Sequence, residues 1–225
     1  MAATVAIVLA GGRSARMGTP KAELEWHGST LLGRVVDTLG AATGRVVVVR
    51  APGQALPALP DGVVVVEDAH RGRGPLEGML AGLRALGPHE CAAFVCAVDM
   101  PFVEAPFARA VLAALPPDAA AAVPRLDGRA HPLAAAYRPA VADRVAALLD
   151  VGERRVGALI ECIPVAWLDA RALPGGGASL RNVNTPAELA AAGQTMREKA
   201  TDSPAAAPPR GTSASAVAPV SDVMA

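Results

Sequence analysis

Thr4-Val5-Ala6-Ile7-Val8-Leu9-Ala10-Gly11-Gly12-Arg13-Ser14-Ala15-Arg16-Met17-Gly18-Thr19-Pro20-Lys21 is the stretch that decides the fold. Its first six residues run apolar without alternation, the pattern of a strand covered on both faces. The run stops at a glycine pair and passes into a polar loop carrying three cations. A buried strand that opens onto such a loop is how an α/β sheet presents a ligand-binding edge.

Working outward, Leu31, Leu32, Val35, Val36 and Leu39 recur at helical spacing, with Ser29 or Thr30 placed to cap. Residues 45–49, 63–66 and 92–98 read as three further buried strands, the last delivering Asp99 at its C-terminal end. Pro75 opens a second helix whose Leu76, Met79, Leu80 and Leu83 turn inward. Helices are predicted at 106–115, 141–149 and 186–199, and strands at 120–123, 133–137 and 165–168. Strands alternating with helices at this spacing imply a mostly parallel sheet between two helical layers. One domain therefore covers residues 1–199. Residues 200–225, dominated by Pro, Ala, Ser and Thr without an apolar face, read as a disordered tail.

Composition removes several classes of function. The 225 residues carry 21 basic and 21 acidic side chains and only 3% aromatics, so neither a basic footprint nor a stacking platform marks a nucleic-acid binder. No apolar run approaches the roughly 20 residues of a membrane span. The first residues lack the basic start of a secretory signal. Cys91, Cys96 and Cys162 form no CxxC pair and read as small buried hydrophobes. These features predict a soluble protein of a reducing compartment, most simply the cytoplasm. Arginine supplies 19 of the 21 cations; the only lysines are Lys21 and Lys199.

The loop after the first strand is the strongest chemical signal. Glycines there let backbone N–H groups approach a polyanion, and Arg13, Arg16 and Lys21 add cations for phosphate oxygens. The spacing is neither a Walker P-loop nor a dinucleotide fingerprint. A compact ammonium at Lys21 suits a single phosphate oxygen better than a guanidinium fork does. Asp99, in Val98-Asp99-Met100-Pro101, has the chemistry of a Mg²⁺ ligand, or else of a turn aspartate. Asp68 ends the third strand on the same edge. In Arg71-Gly72-Arg73-Gly74-Pro75-Leu76-Glu77 the helix start favours an anion, and Glu77 could simply complement the dipole. His131, in Gly128-Arg129-Ala130-His131-Pro132, is a candidate contact to a second phosphorylated substrate or a solvated loop residue. His27, His70 and His89 receive no role. Asn182 and Asn184 could present amides to a cleft, with Asn184 or Thr185 alternatively capping the helix at Pro186.

Taken together, Leu9-Ala10-Gly11-Gly12, Arg16-Met17-Gly18 and Lys21 resemble the signature of nucleotidyltransferases with a Rossmann-like core. Gly74-Pro75-Leu76-Glu77-Gly78-Met79, Val98-Asp99-Met100-Pro101-Phe102, His131-Pro132, Gly152-Glu153-Arg154-Arg155-Val156 and Asn182-Val183-Asn184-Thr185-Pro186 narrow the resemblance to the molybdenum cofactor guanylyltransferase family. That resemblance implies a three-layer αβα fold of the nucleotide-diphospho-sugar transferase type. It implies that GTP and molybdopterin give the guanine dinucleotide cofactor and pyrophosphate with Mg²⁺. Lys21, Arg16 and Asp99 would be catalytic, and Asp99 would hold the metal. Leu9, Ala10, Gly11 and Lys21 would bind GTP, Asp68 would contact the nucleotide, and Asn182 and Asn184 would face the pterin, with Gly12, Gly74 and His131 as further binding residues. Cofactor-synthesis proteins and apo-molybdoenzymes or their chaperones would be its partners. The sequence departs from the family pattern in having Pro20 before the loop lysine, and Val49-Arg50 where the family can place an Asn. The rivals are a CTP-dependent cytidylyltransferase, a sugar-phosphate nucleotidyltransferase of the same fold, and a regulatory module without catalysis.

Overall fold

The computed structural model describes residues 3–11, 20–70, 72–185 and 188–189. Gly12, Arg16, the predicted last helix apart from residues 188–189, and the tail lie outside these residues. Strands β1 (Ala3–Leu9), β4 (Val46–Arg50), β5 (Val64–Glu67) and β6 (Glu90–Ala97) pair in parallel around β1. Two short strands, β2 (Glu25–Trp26) and β3 (Ser29–Thr30), form a separate hairpin. On the other side of β6 come β9 (Ala134–Tyr137), β7 (Ala121–Leu126) and β10 (Val165–Asp169), with β8 (Arg129–Ala130) attached to β7. The sheet order is β10-β7-β9-β6-β1-β4-β5. Only β9 and β8 run against their neighbours, so the sheet is mostly parallel, as the alternation of elements predicts.

The strand period of two divides the core into layers. Along β1, Ala6, Val8 and Ala10 pack with helices α1 (Leu31–Thr43) and α3 (Ala105–Ala113), whereas Val5, Ile7 and Leu9 turn to the opposite face. That second face is covered by α2 (Pro75–Arg84), α4 (Val141–Asp150) and α5 (Val156–Glu161), a short helix the sequence reading did not contain. Burial on both faces explains why the strands lack polar alternation. Phe94 and Phe107 meet edge to face at 6.4 Å in the first layer. Thr30, one of the two expected caps, accepts from the Gly33 N–H at 3.0 Å through its hydroxyl. Gly82 lets α2 lie on the sheet, since a methyl there would sit 2.5 Å from the Ile7 side chain.

A third, smaller cluster matters more for function. Trp26, Leu31, Phe102 and Val183 pack together, with Trp26 and Phe102 edge to face at 5.6 Å. Those residues come from four separated segments: the hairpin after Lys21, the start of α1, the turn after Asp99, and the Asn182–Asn184 segment. The apolar contact thus brings three candidate site segments to one place.

Candidate active site

The C-terminal ends of β1, β4, β5 and β6 converge on a cavity of about 490 Å³. Leu9, Ala10, Gly11, Lys21, Asp68, Gly74 and Asp99 all line it. A second cavity of about 480 Å³ is lined by Arg129, His131, Leu180, Asn182 and Asn184. Pro75 and Leu133 border both, so the two are adjacent.

The wall of the first cavity is largely backbone. Ala10 and Gly11 both donate their N–H groups to the Val49 carbonyl, at 2.8 and 3.2 Å. The Gly11 amide is thus directed to the sheet end. What requires a glycine there is close approach. A methyl on Gly11 would sit 3.1 Å from the Ala51 nitrogen and 3.5 Å from Asp68 Oδ2. Gln54, which the sequence did not single out, secures the same wall. Its side-chain amide donates to the Ala10 carbonyl at 3.1 Å and its oxygen accepts from the Ala51 N–H at 3.0 Å. Arg50, standing where the family can place an Asn, pairs with Glu67 at 2.7 Å.

Across the cavity, Gly74 has φ of +85°, a conformation that glycine adopts without strain, and caps α2 ahead of Pro75. A methyl on Gly74 would lie 3.0 Å from the Arg154 carbonyl. Glu77 does more than complement the helix dipole. It is 5% exposed, bonds His70 Nδ1 at 2.8 Å and approaches Arg73 at 3.8 Å, anchoring the loop that precedes α2. His70, given no role from sequence, thus has a structural one. Arg155 is bound by Glu153, which also accepts from the Arg154 and Arg155 backbone N–H groups, and these bonds hold the Glu153 carboxyl down at about 2.

Lys21, which lines the first cavity, is bonded to a residue of the second. Its Nζ donates to Asp99 Oδ2 at 2.7 Å and to Asn184 Oδ1 at 2.9 Å, with 19% and 17% of the Lys21 and Asp99 side chains exposed. Asn182 Nδ2 reaches the other Asp99 oxygen at 3.4 Å. The Val183 N–H donates to the Asp99 carbonyl at 2.8 Å, tying the asparagine segment to the strand end. In the second cavity, the β7–β8 turn places Asp127 and Gly128 at φ of 50° and 76°, the paired left-handed geometry of a tight hairpin. That turn brings Arg129 and His131 to the lining. Burial and the nearby Arg129 charge both lower the His131 pKa, so the ring is neutral at pH 7. Fully buried Tyr137 donates its hydroxyl to the Pro132 carbonyl at 2.7 Å, pinning the residue beside His131.

Asp99 is also where a divalent cation fits. Among the described residues no three His, Cys, Asp or Glu side chains gather as a complete metal cage. Mg²⁺ does not need one, because it binds through one or two carboxylates plus water and substrate phosphates. A single half-buried carboxylate beside an ammonium, at the mouth of a cavity, is a donor set of that kind.

A family model for the MobA-like NTP transferase domain matches residues 6–164. The chain belongs to the MobA-like NTP transferase family. It is therefore a nucleotidyltransferase. A protein of Mycobacterium tuberculosis named a probable molybdenum cofactor guanylyltransferase is 42% identical over 198 residues, 85% of this chain and 94% of that protein. A Mycobacterium marinum protein of the same name is 42% identical over 189 residues, 82% of this chain and 90% of its own. Among solved structures, molybdopterin-guanine dinucleotide biosynthesis protein A of Archaeoglobus fulgidus superposes with a TM-score of 0.69 at 25% identity, covering 86% of this chain and 99% of that one. The 2-C-methyl-D-erythritol 4-phosphate cytidylyltransferase of Thermus thermophilus shares the fold, with a TM-score of 0.65 at 24% identity over 88% of this chain and 100% of its own. The MobA-like family thus has the αβα architecture that the sequence implied. Among the described residues no helix is long and apolar enough to cross a membrane.

Proposed function

We propose that the protein transfers GMP from GTP to the terminal phosphate of molybdopterin, giving the guanine dinucleotide cofactor and pyrophosphate. The observation that carries this reading is the Lys21–Asp99–Asn184 contact at the seam of two adjacent cavities. A two-substrate phosphoryl transfer needs two binding volumes with charge-stabilising groups between them. The names of the 42% identical relatives support GTP and the molybdenum cofactor as the substrates.

On this reading the first cavity takes GTP and the second takes the pterin. An oxygen of the pterin phosphate attacks the α-phosphorus; the bond to the bridging oxygen breaks, and pyrophosphate leaves with that electron pair. The nucleophile is already an anion, so the protein supplies position and charge rather than a base. Lys21 places an ammonium where negative charge accumulates, and Asp99 would hold Mg²⁺, which supplies Lewis-acid neutralisation of the phosphates. Arg129 and His131 would meet the phosphate end of the second substrate. Arg16 and Gly12 belong to the same proposal through the loop after β1. A cytoplasmic protein with this activity would hand its product to apo-molybdoenzymes or their chaperones.

The test is GTP-dependent conversion of purified molybdopterin cofactor to its dinucleotide form, with pyrophosphate released in equal amount. Conversion with CTP instead of GTP, or with a sugar phosphate instead of the pterin, would overturn the assignment.

A further inference from the structure

We infer that Asn184 acts on the nucleotide side of the reaction, as a positioning residue that holds Lys21. This rests on the reading of the first cavity as the nucleotide site, and it departs from the role that resemblance implies for Asn184, a pterin contact. The geometry is direct. Asn184 lines the second cavity and Lys21 the first, yet the Asn184 Oδ1 lies 2.9 Å from Lys21 Nζ. The donor can only be Lys21, because an ammonium has three N–H groups and no acceptor. With Asp99 Oδ2 at 2.7 Å, protein oxygens hold at least two of those N–H groups.

The bond has energetic meaning because a lysine stem is flexible. Freezing one in place upon ligand binding costs rotamer freedom. A side chain already held by neighbours no longer incurs that cost when the phosphate arrives. Asp99 alone is a poor keeper for this purpose. Its carboxylate neutralises the very charge the phosphate is to meet, and a cation bound there would compete with the ammonium for it. The amide oxygen of Asn184 is neutral, so it orients the ammonium without cancelling its charge. Asn184 is itself fixed: its N–H donates to Glu188 Oε2 at 2.6 Å, and Val183 next to it is buried against Trp26 and Phe102.

Binding of Mg·GTP in the absence of any pterin is the experiment, because a residue that only touches pterin cannot change it. Asn184→Ala is expected to weaken binding about tenfold, the scale of one hydrogen bond to a charged group. In a Lys21→Ala background the same substitution is expected to add nothing, since the residue it positions is gone. A second readout needs no ligand. With just two lysines in the chain, ¹⁵N-lysine labelling gives two side-chain ammonium signals, and Lys21→Arg identifies one by removing it. Asn184→Ala is expected to shift the Lys21 signal and speed its hydrogen exchange, and Asn184→Asp, which keeps the acceptor, to leave that exchange slow. An unchanged nucleotide affinity, additive losses in the double variant, or an unmoved Lys21 signal would each overturn the inference. Failure of the wild-type protein to bind GTP would instead overturn the functional reading beneath it.

Discussion

The two cavities are nearly equal in volume, about 490 and 480 Å³, but they are built by different means. The first is a product of the sheet. Its walls are the ends of β1 and β4, sewn together at the Val49 carbonyl, and the glycines at 72, 74 and 78. The second is a product of turns, and side chains carried by those turns line it: Arg129, His131, Asn182 and Asn184. Sheet register is hard to alter without losing the core, whereas a turn side chain can change without cost to the fold. The seam is where this division fails, because Lys21 and Asp99 of the first cavity are bonded by Asn184 and Asn182 of the second. Lys21→Ala and Asp99→Ala are each expected to lower turnover by about 10²–10³-fold, followed as pyrophosphate release. Should either raise only one substrate's KM with kcat intact, the seam belongs to a single cavity.

The next largest contrast is in stability. Gly74→Ala puts a methyl 3.0 Å from the Arg154 carbonyl at a φ of +85°, so both space and backbone oppose it. A loss of about 1–3 kcal/mol is expected, read as a melting temperature lowered by several degrees. Arg129→Ala, at an exposed residue of the second cavity, is expected to change stability by less than about 0.5 kcal/mol. Equal losses from both substitutions would mean that the second cavity is as structural as the first.

The same contrast explains what the sequence disclosed. The first cavity was legible because Leu9 to Lys21 is contiguous and because strands end where apolar runs end. Asp68 and Asp99 follow from strand position alone. Trp26 carries no motif, and Phe102 and Val183 stand in motifs only beside Asp99 and the asparagines, since their own meaning lies in one contact among distant segments. Tyr137 reads as a core aromatic, and only the fold shows its hydroxyl on Pro132. The direction of β9, antiparallel between β6 and β7, depends on connections that periodicity does not encode. Gln54 is the sharpest case: a polar loop residue by composition, it bridges the two strand ends that shape the wall of the first cavity. Gln54→Ala is expected to raise the GTP KM about fivefold, roughly the worth of one net hydrogen bond, with the pterin KM unchanged. A matched rise in both would remove the distinction between wall and turn.

The smallest effect tests the second cavity by proton. The pKa of His131 is lowered from 6.5, by burial first and by Arg129 second. The folded protein therefore binds a proton here less readily than the unfolded chain does. As pH falls through 6.5 the unfolded state gains protons first, so this residue withdraws stability on the acid side and is silent above it. Binding has the opposite sign. A phosphorylated substrate beside the imidazole favours its charged form, so affinity in the second cavity is expected to rise as pH falls below 6.5. Partial solvent exposure limits the gain to about threefold. The pterin KM of the wild type relative to that of His131→Gln, followed from pH 7.5 to 5.5, should fall, the protonation of the substrate's own phosphate at about pH 6 being common to both, while the GTP KM follows the same course in both. A ratio that stays constant over that range would assign the titration to another group and leave the second cavity with Arg129 as its phosphate contact.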